Sequence, residues 1–145
     1  MAGTYTVSRS NFALSTTADA MTFVGATART VRVLRISIGG MGTAAAANEL
    51  LVSRSTGGVT GGGAITPSPH RVAQAAAAVV VNTTWATQPT LGAALVRLPV
   101  GANGGINTWV ARPGEEIELN GVEQLSLRAA VGTSNVTLTV TFEEL

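Results

Sequence analysis

The sequence has no cysteine and no lysine, and only one histidine (His70) and one aspartate (Asp19) in 145 residues. Each absence removes a class of chemistry. Without cysteine there is no disulfide, no thiolate nucleophile and no thiolate-held metal. A lone histidine cannot complete a zinc set, and general acid–base catalysis draws on side chains that are nearly all missing. Charged residues make up 12% of the chain, about half the usual share of about 25%. No run approaches the roughly 20 apolar residues of a membrane-spanning helix. Met1 to Asn11 is mostly polar, so no export signal and no membrane partner are expected, and the chain is read as made in the cytoplasm.

What is present is glycine, alanine, threonine and β-branched aliphatics, with 46% hydrophobic residues and a mean hydropathy of +0.34. So little charge leaves apolar and hydroxyl-bearing surface facing outward, and association is its simplest outlet. The net charge of +1 comes from nine arginines against eight carboxylates, with only Arg29, Arg32 and Arg35 close together. A nucleic-acid footprint normally shows as clustered cations, so no nucleic-acid partner is expected. Exclusive use of arginine fits interfacial pairing, because its planar fork bonds carboxylates two at a time. High-GC codon usage produces the same bias.

Apolar residues recur with period two in several segments, the pattern of strands with one face on a core. Val136, Leu138, Val140 and Phe142 alternate with polar residues, and Leu125, Leu127, Ala129 and Val131 alternate with Ser126, Arg128 and Ala130. With Gly132 to Asn135 as the turn, these two segments predict a hairpin with Leu125, Leu127, Val136, Leu138, Val140 and Phe142 inward. Shorter strands are predicted around Met21 to Val24, Leu50 to Ser53, Leu95 to Val100, Asn107 to Ala111 and Glu116 to Asn120, with an edge strand at Tyr5 to Val7. The turn-rich Gly101 to Gly105 reads as a loop joining Leu95 to Val100 and Asn107 to Ala111 as antiparallel strands. Val31 to Ile38 changes phase, which means either two covered faces or a bulge near Val33. Thr43 to Val52 and Arg71 to Val81 are alanine-rich and admit a short helix, although Val79 to Val81 favours strand. The fold expected is all-β, a single jelly-roll-like antiparallel β-sandwich of about eight short strands. It divides into a polar N-terminal arm with edge strands over residues 1–28 and the sandwich over 29–145. The arm from Ala2 to Thr17 and the glycine-rich excursion from Gly57 to Pro69 are expected outside the regular strands, free to contact neighbours.

Gly40-Met41-Gly42-Thr43-Ala44-Ala45 matches G-x-G-x-x-A after a strand, but no acidic residue follows about 20 positions on and no crossover helix is evident. Gly57 to Gly63 lacks the G-K-[ST] ending of a phosphate loop. His70 and Asp19 come with no G-x-S-x-G turn. Catalytic, cofactor-binding and metal-binding residues are therefore assigned to none. Candidate partner-binding residues are Tyr5, Arg9 and Phe12 near the N-terminus, His70 and Arg71 on a proline loop, and the two tryptophans. Trp85 and Trp109 lie near loops, where a large flat face with one polar N–H serves as sugar platform, interface anchor or cap on the core.

The stretch Arg112-Pro113-Gly114-Glu115-Glu116-Ile117-Glu118-Leu119, followed by Glu123-Gln124-Leu125-Ser126-Leu127-Arg128, resembles the closing strands of small jelly-roll domains that form trimers. Ser55-Thr56-Gly57-Gly58, Gly62-Gly63-Ala64-Ile65-Thr66-Pro67, Thr84-Trp85, Gln88-Pro89-Thr90-Leu91-Gly92 and Leu98-Pro99-Val100 resemble small virion proteins of tailed bacteriophages. Among these, the functional class most similar is the capsid decoration or cement protein. That resemblance implies a non-enzymatic homotrimer on the capsid exterior, with the major capsid protein and itself as partners. The competing expectation is a carbohydrate- or receptor-binding module on a virion surface.

Overall fold

The structure, a computed structural model, describes residues 2–145. Its strands are β1 (Gly3–Ala13), β2 (Met21–Val24), β3 (Thr30–Met41), β4 (Ala47–Thr56), β5 (Val59–Ile65), β6 (Ser68–Pro69), β7 (Val80–Thr87), β8 (Thr90–Gly101), β9 (Asn103–Val110), β10 (Ile117–Asn120), β11 (Gln124–Val131) and β12 (Asn135–Glu144). No helix occurs among the described residues. One sheet, A, runs β6-β1-β12-β3, with β9 and β10 sharing the far side of β3; the other, B, runs β5-β7-β2-β11-β4-β8. Setting aside β5 to β7, which are inserted between β4 and β8, the remaining order is β1-β12-β3-β9/β10 facing β2-β11-β4-β8. Those are the two Greek keys of an eight-stranded jelly roll, with its eighth position split between β9 and β10.

The alternation in the sequence places one apolar row of each strand between the sheets. Leu125, Leu127, Val136, Leu138, Val140 and Phe142 are all fully buried, as expected, and join one hydrophobic cluster with Val31, Val33, Ile36, Ile38, Leu50 and Val52. Phe142 is its aromatic centre. Its ring stacks on Tyr5 with centroids 5.5 Å apart and meets Phe23 edge-on at 5.5 Å, geometries that the ring quadrupole favours. Burying each such side chain contributes about 1.5–3 kcal/mol.

Two expected pairings are overturned. β11 pairs with β2 and β4 in sheet B, while β12 pairs with β1 and β3 in sheet A. The two segments expected as a hairpin therefore lie in opposite sheets, and Gly132 to Ser134 crosses between the layers. Likewise β8 pairs with β4 and β9 with β3, so the glycine turn between them also changes sheets. Period-two alternation is the same for a hairpin and for two strands facing across a core, because both bury one face.

The N-terminal segment is not an arm. β1 lies between β12 and β6 in sheet A and buries Tyr5 and Val7, and β2 lies between β11 and β7 in sheet B. The phase change in β3 is a bulge: Phe142 pairs with Val33 and Thr141 with Arg35, leaving Leu34 as the extra residue, so Ile36 and Ile38 return to the core side. The alanine-rich stretches are strand and turn: Thr43 to Val52 enters β4, and Arg71 to Val79 is irregular before β7. The excursion from Gly57 contains β5, paired with β7 through two register shifts. At Gly63 a side chain would fall on the Thr84 hydroxyl, so glycine allows this close pairing. The G-x-G of Gly40 to Gly42 serves a similar end, since a Cβ at Gly40 would strike the carbonyls of Gly101 and Ala102 where β3 passes the β8–β9 turn.

Candidate interaction surfaces

The outer face of sheet A is built from short hydroxyl side chains. Strand register aligns Thr108, Ser37, Thr139 and Ser8 across four strands, and the next row is Val110, Arg35, Thr141 and Thr6. Neighbouring hydroxyls bond one another: Ser37 to Thr108 at 3.1 Å, Ser8 to Thr139 at 2.9 Å, and Thr6 to Thr141 at 3.2 Å. Arg35 stands among them over a depression of about 210 Å³ shared with Ser37, Thr139 and Thr141. Beyond this row, Arg32 pairs with Glu118 at 2.6 Å, a half-exposed ion pair of small energetic weight.

Sheet B carries its polar groups differently. Ser126, Ser55 and Thr22 project to its outer side yet are buried. The Asp19 carboxylate, wholly enclosed, accepts hydrogen bonds from the hydroxyls of Thr22 and Ser126 and from Arg128 Nε at 2.7 Å, and its second contact with that guanidinium is 2.6 Å. Ser126 lies 2.8 Å from the Ser55 hydroxyl, and Arg128 also donates to the Pro89 carbonyl at 3.0 Å. The Asp19 amide donates to Gln88 Oε1 at 3.0 Å. This buried charge pair is hydrogen-bonded on every side, the condition under which buried ions are tolerated.

The expected partner-binding residues separate into distinct places. Tyr5 is in the core, its hydroxyl donating to the Ala75 carbonyl at 2.9 Å. Arg9 donates to the Ala20 carbonyl at 2.8 Å and lies 4.1 Å over the Phe12 ring, which packs on the core. Burial lowers the Arg9 pKa from its ordinary value. Trp85 Nε1 donates to Thr22 Oγ1 at 2.9 Å, and Gly58, at φ 89, lies against its ring with no room for a side chain. Trp85 is thus an anchor of the Asp19 network and not a free platform. Trp109 is half-buried against the core at the opposite edge of sheet A. His70 bonds Thr6 at 2.7 Å beside β6, on a different sheet from Asp19 and Ser126, so these three residues make no triad. Arg71 is exposed.

The residues that sequence reasoning missed hold the loop after β6. Gln74 Nε2 and the His70 amide donate to the Thr4 carbonyl, and the Glu144 carboxylate accepts from the Ala78 and Val79 amides at 2.9–3.1 Å. The one signal for this in the sequence is a carboxylate, Glu144, at the next position of the inward phase Val136, Leu138, Val140 and Phe142. No group of three or more His, Asp or Glu residues suited to a metal occurs among the described residues. Neither a protein-family model nor a curated protein matches the sequence.

Proposed function

We propose that this chain is a non-enzymatic structural protein of a phage virion, a cement protein that binds the exterior of the assembled capsid and acts as a homotrimer. The observation that carries the reading is the outer face of sheet A. Serine and threonine are short and already bonded to one another there, so docking this face freezes few rotamers and leaves few polar groups unpaired. A face of that kind suits broad contact with a shell lattice. A protein that binds the assembled shell and not its dissociated subunits stabilises the shell by RT ln(1 + [L]/Kd) per site, and symmetric copies multiply weak contacts. The resemblance to small virion proteins points the same way.

The alternative, a carbohydrate- or receptor-binding module, rests on Trp109, since both the N–H and the face of Trp85 are engaged. Purified virions encoding the chain provide the test. The expected result is a copy number scaling with capsid subunits, and loss of attachment in a folded Thr139→Arg variant. Absence from the shell, or a few copies at the tail tip only, overturns the cement reading in favour of the alternative.

A further inference from the structure

Three of the exposed sheet edges are guarded against pairing with another chain. β6 has two residues and contains Pro69, β5 is broken by register shifts and holds Thr60 at φ 57, and β10 is four residues long beside Glu115, Glu116 and Glu118. β8 carries two register shifts of its own, Arg97 and Pro99, but the stretch of β8 before Arg97 and the whole of β9 hold no charge and no proline. No charge occurs from Leu91 to Val96 or from Asn103 to Val110, and Leu95, Ile106 and Val110 are 43%, 79% and 61% exposed. Here a groove of about 330 Å³ opens, with Leu95, Val96, Trp109 and Ile117 as its apolar walls and Glu115 and Glu116 as its acidic rim. Arg54 also lines it, 3.8 Å from Glu123. The groove sets apolar walls beside one arginine and two carboxylates, a net negative lining.

The far edge of sheet A presents the complement. After β6 the chain makes a tight turn closed by the Gln74 amide on the Arg71 carbonyl at 3.1 Å, with Val72 and Ala73 at its tip. Val72 is 107% exposed and Arg71 stands exposed beside it. The tip is held firmly, by Gln74 on Thr4, Tyr5 on Ala75 and Glu144 on Ala78 and Val79. A rigid apolar knob beside a cation faces water on one edge, and an apolar groove with carboxylates lies on the other.

We propose that the Arg71–Gln74 turn of one copy seats in the β8–β9–β10 groove of the next, joining copies head to tail into a closed ring. Val72 would meet Leu95 and Ile117, and Arg71 would meet Glu115, Glu116 and the Trp109 face, a charge match with a cation–π contribution. The two surfaces lie four strand spacings apart, about 19 Å, so one copy cannot satisfy itself. Such a heterologous contact gives a ring where its rotation closes and a filament where it does not; the closed case is the one proposed, and the preformed turn keeps the ordering cost low. This inference rests on the self-association in the function proposed above but not on the capsid.

Sedimentation of the purified full chain at tens of micromolar should show a trimer. Arg71→Glu, and separately Glu115→Arg with Glu116→Arg, should each weaken assembly by more than about tenfold, since like charges then face each other. The triple variant carrying all three reversals should reassemble. In the cysteine-free background, Val72→Cys with Leu95→Cys should form disulfides between copies under mild oxidation. A wild-type monomer at every concentration, an oligomer that survives both reversals, a triple variant that stays apart, or no cross-linking overturns the proposal. A ring that fails to bind shells leaves this inference standing and removes the cement reading; a monomer that decorates shells does the reverse.

Discussion

Replacing Asp19 with alanine should be among the most damaging single changes in the molecule. The carboxylate is fully enclosed and takes two hydroxyl bonds and a two-point contact with Arg128, whose side chain is 12% exposed. Removal leaves that cation without its counter-charge and the Thr22 hydroxyl without an acceptor, while the Ser126 hydroxyl keeps only that of Ser55. Breaking a buried pair from one side costs about 3–5 kcal/mol. Arg128 retains the Pro89 carbonyl and touches solvent, which holds the loss within that range and not above it. With an unfolding entropy of about 2.1 cal/mol/K per residue, 145 residues give about 0.3 kcal/mol/K, so the midpoint should fall by about 10–16 °C. Calorimetry, with urea denaturation at constant m-value, measures both quantities. Adding Arg128→Met should recover part of the loss, because removing both charges relieves the orphaned cation. A loss under about 1 kcal/mol for Asp19→Ala, or a double variant less stable than the single one, would refute the account of this network.

Leu138→Ala should cost about 2–5 kcal/mol in the same denaturation assay, from lost burial and the cavity left behind in the centre of sheet A. Deleting residues 2–13 should abolish cooperative unfolding, because it removes β1 with Tyr5 and Val7 and exposes the whole inner edge of β12; a truncated chain that still melts cooperatively with native strand content by circular dichroism would contradict this.

Strand positions and their inward faces were legible because they depend on local period alone. Met21 to Val24 is a strand with the bounds expected, and the six inward residues of β11 and β12 are all buried. Sheet membership was not legible, because Leu127 and Leu138 alternate identically whether their strands pair or face each other. β1 was underestimated for a related reason: its outward residues are Thr4, Thr6 and Ser8 and few of its residues face in, so a central strand reads as a polar segment. Trp85 was ambiguous among threonines because its role depends on Thr22 and Gly58, both remote in sequence. The Asp19 network joins side chains from the segment before β2, from β4 and from β11, and no spacing rule reports such a meeting.

The pairing of β1 with β12 along nearly their whole length, Gly3 with Glu144 through Ala13 with Asn135, also sets an order on synthesis. β12 is the last of the described strands to leave the ribosome, and it fills the gap between β1 and β3. Until then the inner flanks of both strands stand open and sheet A has no middle. The molecule therefore completes its core only once β12 has emerged, through contacts spanning more than a hundred residues, a topology that folds slowly and exposes unpaired edges on the way. Rapid production at high concentration works against it, and slower synthesis at low temperature favours its soluble form.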